Sequence, residues 1–227
     1  MDRGLYIAAS GMLAEQIRQD QIANDLANAS TPGYKGDRTA QRSFGDLLLA
    51  SSATGQAVGP QSTAVRVEEI RTDFSPRPSR DTGEPLDFAI TGEGFFAVQT
   101  AAGVRYTRNG QFALDPQGRL VTAQGDPVLD ASGRAIAAVD GKVDPRRVGV
   151  VMLTNPAKAG DSLVTGTPAG AAAGTVRSGA LESSGADSAR SMVDMIASMR
   201  AYEAGQKVIQ AIDDTLGQAA AKIATTQ

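Results

Sequence analysis

Residues 187–223, DSARSMVDMIASMRAYEAGQKVIQAIDDTLGQAAAKI, decide the fold. Within them Met195, Tyr202, Ile209, Leu216 and Ile223 recur at intervals of seven, and Met192, Ile196, Met199 and Ile212 widen the seam to one side. Seven residues are close to two helical turns, so these side chains share one stripe of a helix instead of the alternating faces of a strand. Asp187 or Ser188 suits the capping position, and Ser191 with Asp194 has capping-box spacing. Gly205 and Gly217 each weaken a helix by about 1 kcal/mol relative to alanine, while allowing another backbone to come close.

A second helix is predicted at the other end, over residues 3–29, where proline is absent and the glycines, Gly4 and Gly11, fall in the first half. Leu5, Met12 and Leu26 lie on one heptad line, Ala8, Ile22 and Ala29 on the next, and Tyr6, Leu13 and Ile17 form a further apolar strip. Ser30-Thr31-Pro32-Gly33 stops it, because proline lacks the amide donor and disfavours helical geometry in the residue before it.

The period changes between the helices. Val65–Ile70, Leu86–Ile90, Phe95–Val98 and Val148–Leu153 read as strands, separated by turn signals at Gly92-Glu93-Gly94, Asn109-Gly110, Asp115–Gly118 and Asp130–Gly133. Asn-Gly predicts a tight hairpin. Leu114-Asp115-Pro116-Gln117-Gly118-Arg119 is echoed by Leu129-Asp130-Ala131-Ser132-Gly133-Arg134, which predicts two similar corners. Ser51–Gln56 through Gly59-Pro60 has a linker composition, and Gly166–Gly174 that of a loop or edge connection. The expected class is α+β. Long N- and C-terminal helices pack as a coiled-coil-like hairpin, with a central all-β domain between them. The expected divisions are an N-terminal helix in 1–35, a linker in 36–64, the β domain in 65–178 and a C-terminal helix in 179–227.

Length makes this arrangement incomplete as a monomer. At 1.5 Å per residue the helices span roughly 40 and 55 Å. A β domain of about 110 residues has a radius of gyration near 13 Å, too small to cover either stripe. Pairing the helices still leaves apolar residues on more than one face, and such stripes mark interaction surfaces. The seams carry uncharged polar groups, among them Gln16, Gln19, Asn24, Asn28, Gln206 and Gln210, which can bond to neighbouring helices without the cost of burying charge. The candidate assembly residues are therefore Leu5, Met12, Ile22, Asn24, Leu26, Asn28, Met195, Met199, Tyr202, Ile209, Ile212 and Leu216. The expected partners begin with further copies of the chain.

Composition narrows the function classes. The 227 residues contain no histidine and no cysteine, which excludes imidazole and thiolate metal sites, cysteine nucleophiles and imidazole-based triads. With 22 Lys plus Arg against 25 Asp plus Glu, and no basic run, a nucleic-acid partner is not expected. No apolar run approaches the roughly 20 residues of a membrane helix, and the first residues lack a secretory signal's apolar core. Neither membrane insertion nor a cleaved signal peptide is expected. Gly92-Glu93-Gly94-Phe95-Phe96-Ala97 satisfies G-x-G-x-x-A, yet a strand follows where a dinucleotide site needs a helix. Glu84, Asp87 and Glu93 read as turn carboxylates, Asp213-Asp214 as a solvated helix face, and Met192, Met195 and Met199 as packing. No catalysis, cofactor or metal is expected.

Four blocks, in order, resemble bacterial flagellar rod and hook proteins. Ile22-Ala23-Asn24-Asp25-Leu26-Ala27-Asn28 leading into Thr31-Pro32-Gly33-Tyr34-Lys35 is similar to the N-terminal signature. Arg71–Ser75 with Thr82–Phe96 resembles the start of the β domain. Tyr106–Phe112 with Gly118–Thr122 resembles its next hairpin. Gly179–Ser183, Met195-Ile196 and Arg200-Ala201-Tyr202-Glu203 resemble the C-terminal block. Where the family usually shows Ser-Asn-Val-Asp this chain has Ser184-Gly185-Ala186-Asp187, which predicts a looser approach to the last helix. A middle without an inserted outer domain resembles a rod protein, proximal or distal, more than a hook protein.

The resemblance implies a structural subunit of the basal-body rod, exported by the flagellar export apparatus without a cleaved signal. It implies helical stacking on copies of itself and on other rod or hook subunits, and a drive shaft that crosses the periplasm and carries torque to the hook. The alternatives are an exported protein that binds or cleaves the cell wall, and a soluble cytosolic binding module.

Overall fold

A computed structural model describes residues 2–50, 57–139, 141–160 and 162–224, with side chains for all of these but 2–3, 40–50, 57–69 and 222–224. The chain divides into two units. One holds Met1–Leu26, Asp37–Arg71 and Ser188–Gln227; the other holds Ala27–Gly36 and Thr72–Asp187.

In the helical unit, α1 runs Asp2–Ala27 and α2 runs Ser188–Ala224, and the strands β1 (Asp37–Ala50) and β2 (Ala57–Thr72) form a two-stranded sheet. Asp187 immediately precedes α2, whereas Ser191 lies a turn inside it, so the capping-box spacing there marks no helix start. The heptad line of the predicted seam is covered, with Met195, Tyr202, Ile209 and Leu216 half-buried and Ser198 between them 1% exposed, whereas Met192, Ile196 and Met199, expected to widen it, are exposed. Ile223 lies outside the described side chains. Contacts among the described residues join the helices. Ser198 donates to Glu15 Oε2 at 2.6 Å, a β-carbon at Gly205 would stand 2.7 Å from Met12 Cγ, and one at Gly4 would stand 3.4 Å from Ile212 Cδ1. Residues 4, 12 and 15 rise as 212, 205 and 198 fall, so α1 and α2 are antiparallel neighbours. Gly205 is thus the place where a helix gives up propensity to admit a methionine.

Strands β1 and β2 occupy most of residues 36–64, the division expected to be a linker, and β2 takes in Val65–Ile70, which reads as a strand. The linker signal at Ser51–Gln56 lies outside the described residues.

The β unit contains β3 (Ser79–Asp81), β4 (Phe88–Thr91), β5 (Phe95–Thr100), β6 (Gly103–Thr107), β7 (Ala113–Leu114) and β8 (Leu120–Val121). A short 3₁₀ turn (Pro145–Arg147) follows, then β9 (Val150–Gly160), β10 (Leu163–Ala171), β11 (Thr175–Ser178) and β12 (Ala180–Glu182). Strands β10, β6, β5 and β9 close a barrel, while β11 pairs with β4, β12 with β3, and β7 with β8. The run Phe95-Phe96-Ala97-Val98 is buried throughout, because successive side chains serve opposite faces and both are covered. Phe96 and Val98 enter one core with Phe88, Phe112, Leu120, Val128 and Ile136; Phe95 and Ala97 enter a second with Tyr106, Leu129, Leu153 and Val164.

Leu120, Val128 and Ile136 close a backbone ring. Leu120 N donates to Ile136 O (2.8 Å), Ile136 N to Val128 O (3.0 Å) and Val128 N to Leu120 O (2.9 Å), and all three side chains are fully buried.

The echoed corners are alike in detail. Asp115 Oδ1 accepts from the Gln117 and Arg119 amides, Asp130 Oδ1 from those of Ser132 and Arg134, and Gly118 and Gly133 each donate back to the aspartate carbonyl. Two other expectations are corrected. Asn109-Gly110 is no tight hairpin: β6 pairs with β5 and β10, and Gly110 O instead accepts from Phe88 N at 3.0 Å. A β-carbon at Gly110 would come within 1.6 Å of Phe88 O, so close approach and not turn geometry requires the glycine. Residues 166–171, read as a loop or edge, belong to β10, whose register against β9 shifts at Thr165/Thr167 and again at Pro168/Ala171. Bulges of that kind admit the glycines and proline that weaken an ordinary strand.

Candidate functional site

Two places bear on function, one in each unit. In the helical unit the predicted residues divide by exposure. Ile22 is buried; Met12, Leu26, Met195, Tyr202, Ile209, Ile212 and Leu216 are half-buried; Leu5, Asn24 and Met199 are exposed. The structure brings Met12 to Gly205 and Ile212 to Gly4, and leaves Leu5 and Met199 with 41% and 53% of their surface open. Other apolar side chains join the exposed set. On α1 these are Tyr6 and Leu13, and on α2 Met192, Val193, Ile196 and Val208, each at least half exposed. A shallow groove of about 520 Å³ runs along Gly4, Ala8, Gly11, Met12, Ala201 and Gly205. None of the described helices is long and apolar enough to cross a membrane.

Sequence reasoning overlooked the second place as a site, although Thr31–Lys35, Arg108 and Glu182 all lie in quoted motifs. Asn28, the one candidate that falls in the β unit, leads into it: its carbonyl accepts from Ser184 Oγ (2.8 Å) and Thr31 N (3.0 Å). Gly33 then takes φ +65, and a β-carbon there would meet the Arg108 carbonyl at 2.3 Å. Only glycine combines that backbone with that approach. Tyr34 follows, with Lys158 Nζ 4.4 Å above its ring. Lys35 comes next, buried, reaching Ser75 O and Glu182 Oε1, both at 2.7 Å.

Glu182 on β12 gathers the rest. Its Oε1 also accepts from the Arg77 amide (2.9 Å), its Oε2 from Arg108 Nη1 (2.9 Å), and its backbone carbonyl from Gly33 N (3.0 Å). Glu182, Arg108 and Lys35 are 1%, 2% and 4% exposed. Arg108 Nη2 donates to Gly92 O (2.8 Å) and its guanidinium lies 5.3 Å from the Phe95 ring centre. Burial pulls the Lys35 ammonium below its ordinary value, and the Glu182 carboxylate works against that pull. A buried carboxylate this well supplied with donors holds its neighbours charged, and losing it would strand cations out of water.

Gly185 corrects the expected looseness before α2. Its amide donates to Tyr34 O at 2.8 Å, and a β-carbon on it would lie 2.8 Å from that oxygen. The departure from the family pattern accompanies a closer approach, not a looser one.

Family models match three stretches. The model for flagella basal body rod protein covers residues 5–35, that for the flagellar hook protein FlgE/F/G D1 domain residues 89–155, and that for the flagellar basal body rod FlgEFG protein C-terminal residues 177–222. The chain is 32% identical to flagellar basal-body rod protein FlgG of Bacillus subtilis, over 95% of this chain and 97% of that one. It is 33% identical to the FlgF rod protein of Caulobacter vibrioides, over 92% and 93%, and 32% identical to that of Escherichia coli, over 96% and 97%. Both the Thr31–Lys35 signature and Glu182 fall inside matched stretches.

Proposed function

This chain belongs to the family of flagellar basal-body rod proteins, and from that membership we propose that it polymerises helically through its terminal helices into the periplasm-spanning rod. It is a structural component of the rod, and its partners are other rod or hook subunits. In the proposed assembly α1 and α2 pack as a coiled-coil-like hairpin, copies stack through the candidate residues named above, and the finished shaft carries torque to the hook. The chain reaches its place through the flagellar export apparatus without a cleaved signal, and it catalyses no reaction.

One observation carries the proposal. Eight large apolar side chains on the two helices, Leu5, Tyr6, Leu13, Met192, Val193, Ile196, Met199 and Val208, stand 41–66% exposed in the single chain. That is more than scattered surface hydrophobics on one element need, and a second subunit is what removes them from water. Contacts between unlike patches do not close on themselves and so propagate as a filament. Close-packed helices then resist twisting, because dense interiors deform little.

The test is Met199→Asp in the full-length chain. Its side chain is exposed, so the monomer keeps its helical content and thermal transition, while rod completion and swimming are lost. Normal motility with Met199→Asp and with Ile196→Asp together would overturn the proposal.

A further inference from the structure

We propose that Glu182 is a positioning residue that locks the two chain segments flanking the terminal helices, 28–36 and 183–187, side by side within the β unit. The reading rests on convergence. One carboxylate accepts Lys35 Nζ from the first segment, and the Arg77 amide and Arg108 guanidinium from the β framework, at 2.7, 2.9 and 2.9 Å. Its own carbonyl takes the Gly33 amide, and it sits on β12, immediately before the second segment. Around it the segments bond to each other directly, Gly185 N to Tyr34 O and Ser184 Oγ to Asn28 O, both at 2.8 Å.

Nothing in a rod signature requires this location for its lysine. An exposed Lys35 would serve solubility or attract a partner; at 4% exposure it can do neither. Burying an ammonium is costly unless a counter-charge and further acceptors meet it, and Glu182 with Ser75 O supply both. Arg77 also pairs through its guanidinium with Asp73 at 2.9 Å, whereas the charged bonds of Lys35 and Arg108 both go to Glu182. Glu182 is thus the shared counter-charge of Lys35 and Arg108. Thr31–Lys35 belongs with the β unit, and the lock holds it there whether or not subunits have assembled.

Hydrogen exchange on the full-length protein tests this, since a lock and a general stabiliser open different amides. In Glu182→Gln the amides of Gly33, Gly185 and Asp73, which pair with Glu182 O, Tyr34 O and Gly36 O, should exchange roughly 100-fold faster. Those of Leu120, Val128 and Ile136 in the buried ring should change less than about threefold. Lys35→Gln removes one donor, keeps the carboxylate, and should give the same pattern at roughly 10-fold. Equal acceleration of both sets in Lys35→Gln, or no acceleration at Gly33 and Gly185 in either variant, would overturn the inference. If Glu182→Gln does not fold, Lys35→Gln alone decides. The outcome does not depend on rod assembly, so it stands or falls separately from motility.

Discussion

The two units solve burial in opposite ways. In the β unit, Phe88, Phe96, Leu120, Val128 and Ile136 are completely enclosed, their backbone bonds return within the unit, and even the charged residues at its centre are paired. In the helical unit only Ala14 and Ile22 are buried among the described apolar side chains, and the rest of the stripe is half-covered. Ser198 bonds to both the carbonyl and the carboxylate of Glu15 where the helices meet. A domain that closes its own core can fold before it meets a partner. A hairpin that leaves its large side chains open gains stability mainly when neighbours arrive. Division of labour between a finished body and an unfinished seam is what the proposed polymerisation requires.

Phe96→Ala should produce the largest effect. Phe96 is fully enclosed and meets Phe112 edge-on with ring centres 5.3 Å apart, so truncation leaves a cavity where relaxation is restricted. A loss of about 3–5 kcal/mol is expected in the β unit. Calorimetry should show that transition falling while helical ellipticity at lower temperature persists; if both vanish together, the units are not separable. Gly33→Ala comes next, at about 1–3 kcal/mol, because it forces an L side chain to positive φ against the Arg108 backbone. Its sharpening power lies in location: the cost should appear in the β-unit transition, although the residue belongs to the N-terminal signature.

Both helices were legible in the sequence because heptad recurrence depends only on spacing, and the predicted stripe Met195, Tyr202, Ile209, Leu216 is the covered one. The barrel strand Phe95–Val98 was legible for a related reason, since an uninterrupted apolar run needs two covered faces. Glu182 was not. Lys35 and Glu182 lie 147 positions apart, and nothing local at either end says that one will become the counter-ion of the other. The same limit explains Asn109-Gly110. Its turn chemistry is strong in isolation, but Phe88 approaches from elsewhere in the chain and claims the Gly110 carbonyl. Of β1 and β2, Val65–Ile70 within β2 was legible from its imperfect alternation, whereas Asp37–Ala50 carries no regular period to read.

Ile209→Asp probes the unfinished side of the comparison. Ile209 is half-buried on the α2 stripe, so a carboxylate there weakens the hairpin by about 1–2 kcal/mol and leaves the β unit untouched. Circular dichroism should show an earlier loss of helix, with an unchanged β-unit transition in calorimetry. A shift of equal size in both would mean that the hairpin and the β body unfold as one.

The smallest effect belongs to the echoed corners, and its sign follows from their hydrogen bonds. At Asp130 the Arg134 amide holds the carboxyl below its usual range; at Asp115 partial desolvation pushes upward, but the Arg119 amide and guanidinium outweigh it. Both carboxyls therefore release their protons more readily in the folded chain than in the unfolded one. Their contribution is complete above the unfolded value near pH 4 and disappears as the pH falls through the lower folded values. The β-unit melting temperature should decline across that acidic window, and Asp115→Asn with Asp130→Asn should flatten the decline, since an amide oxygen can still accept the corner amides without titrating. The corners are exposed, so the change should be smaller than any above. It should also be confined to the β-unit transition; an equal flattening of the helical transition would mean that the two do not unfold separately.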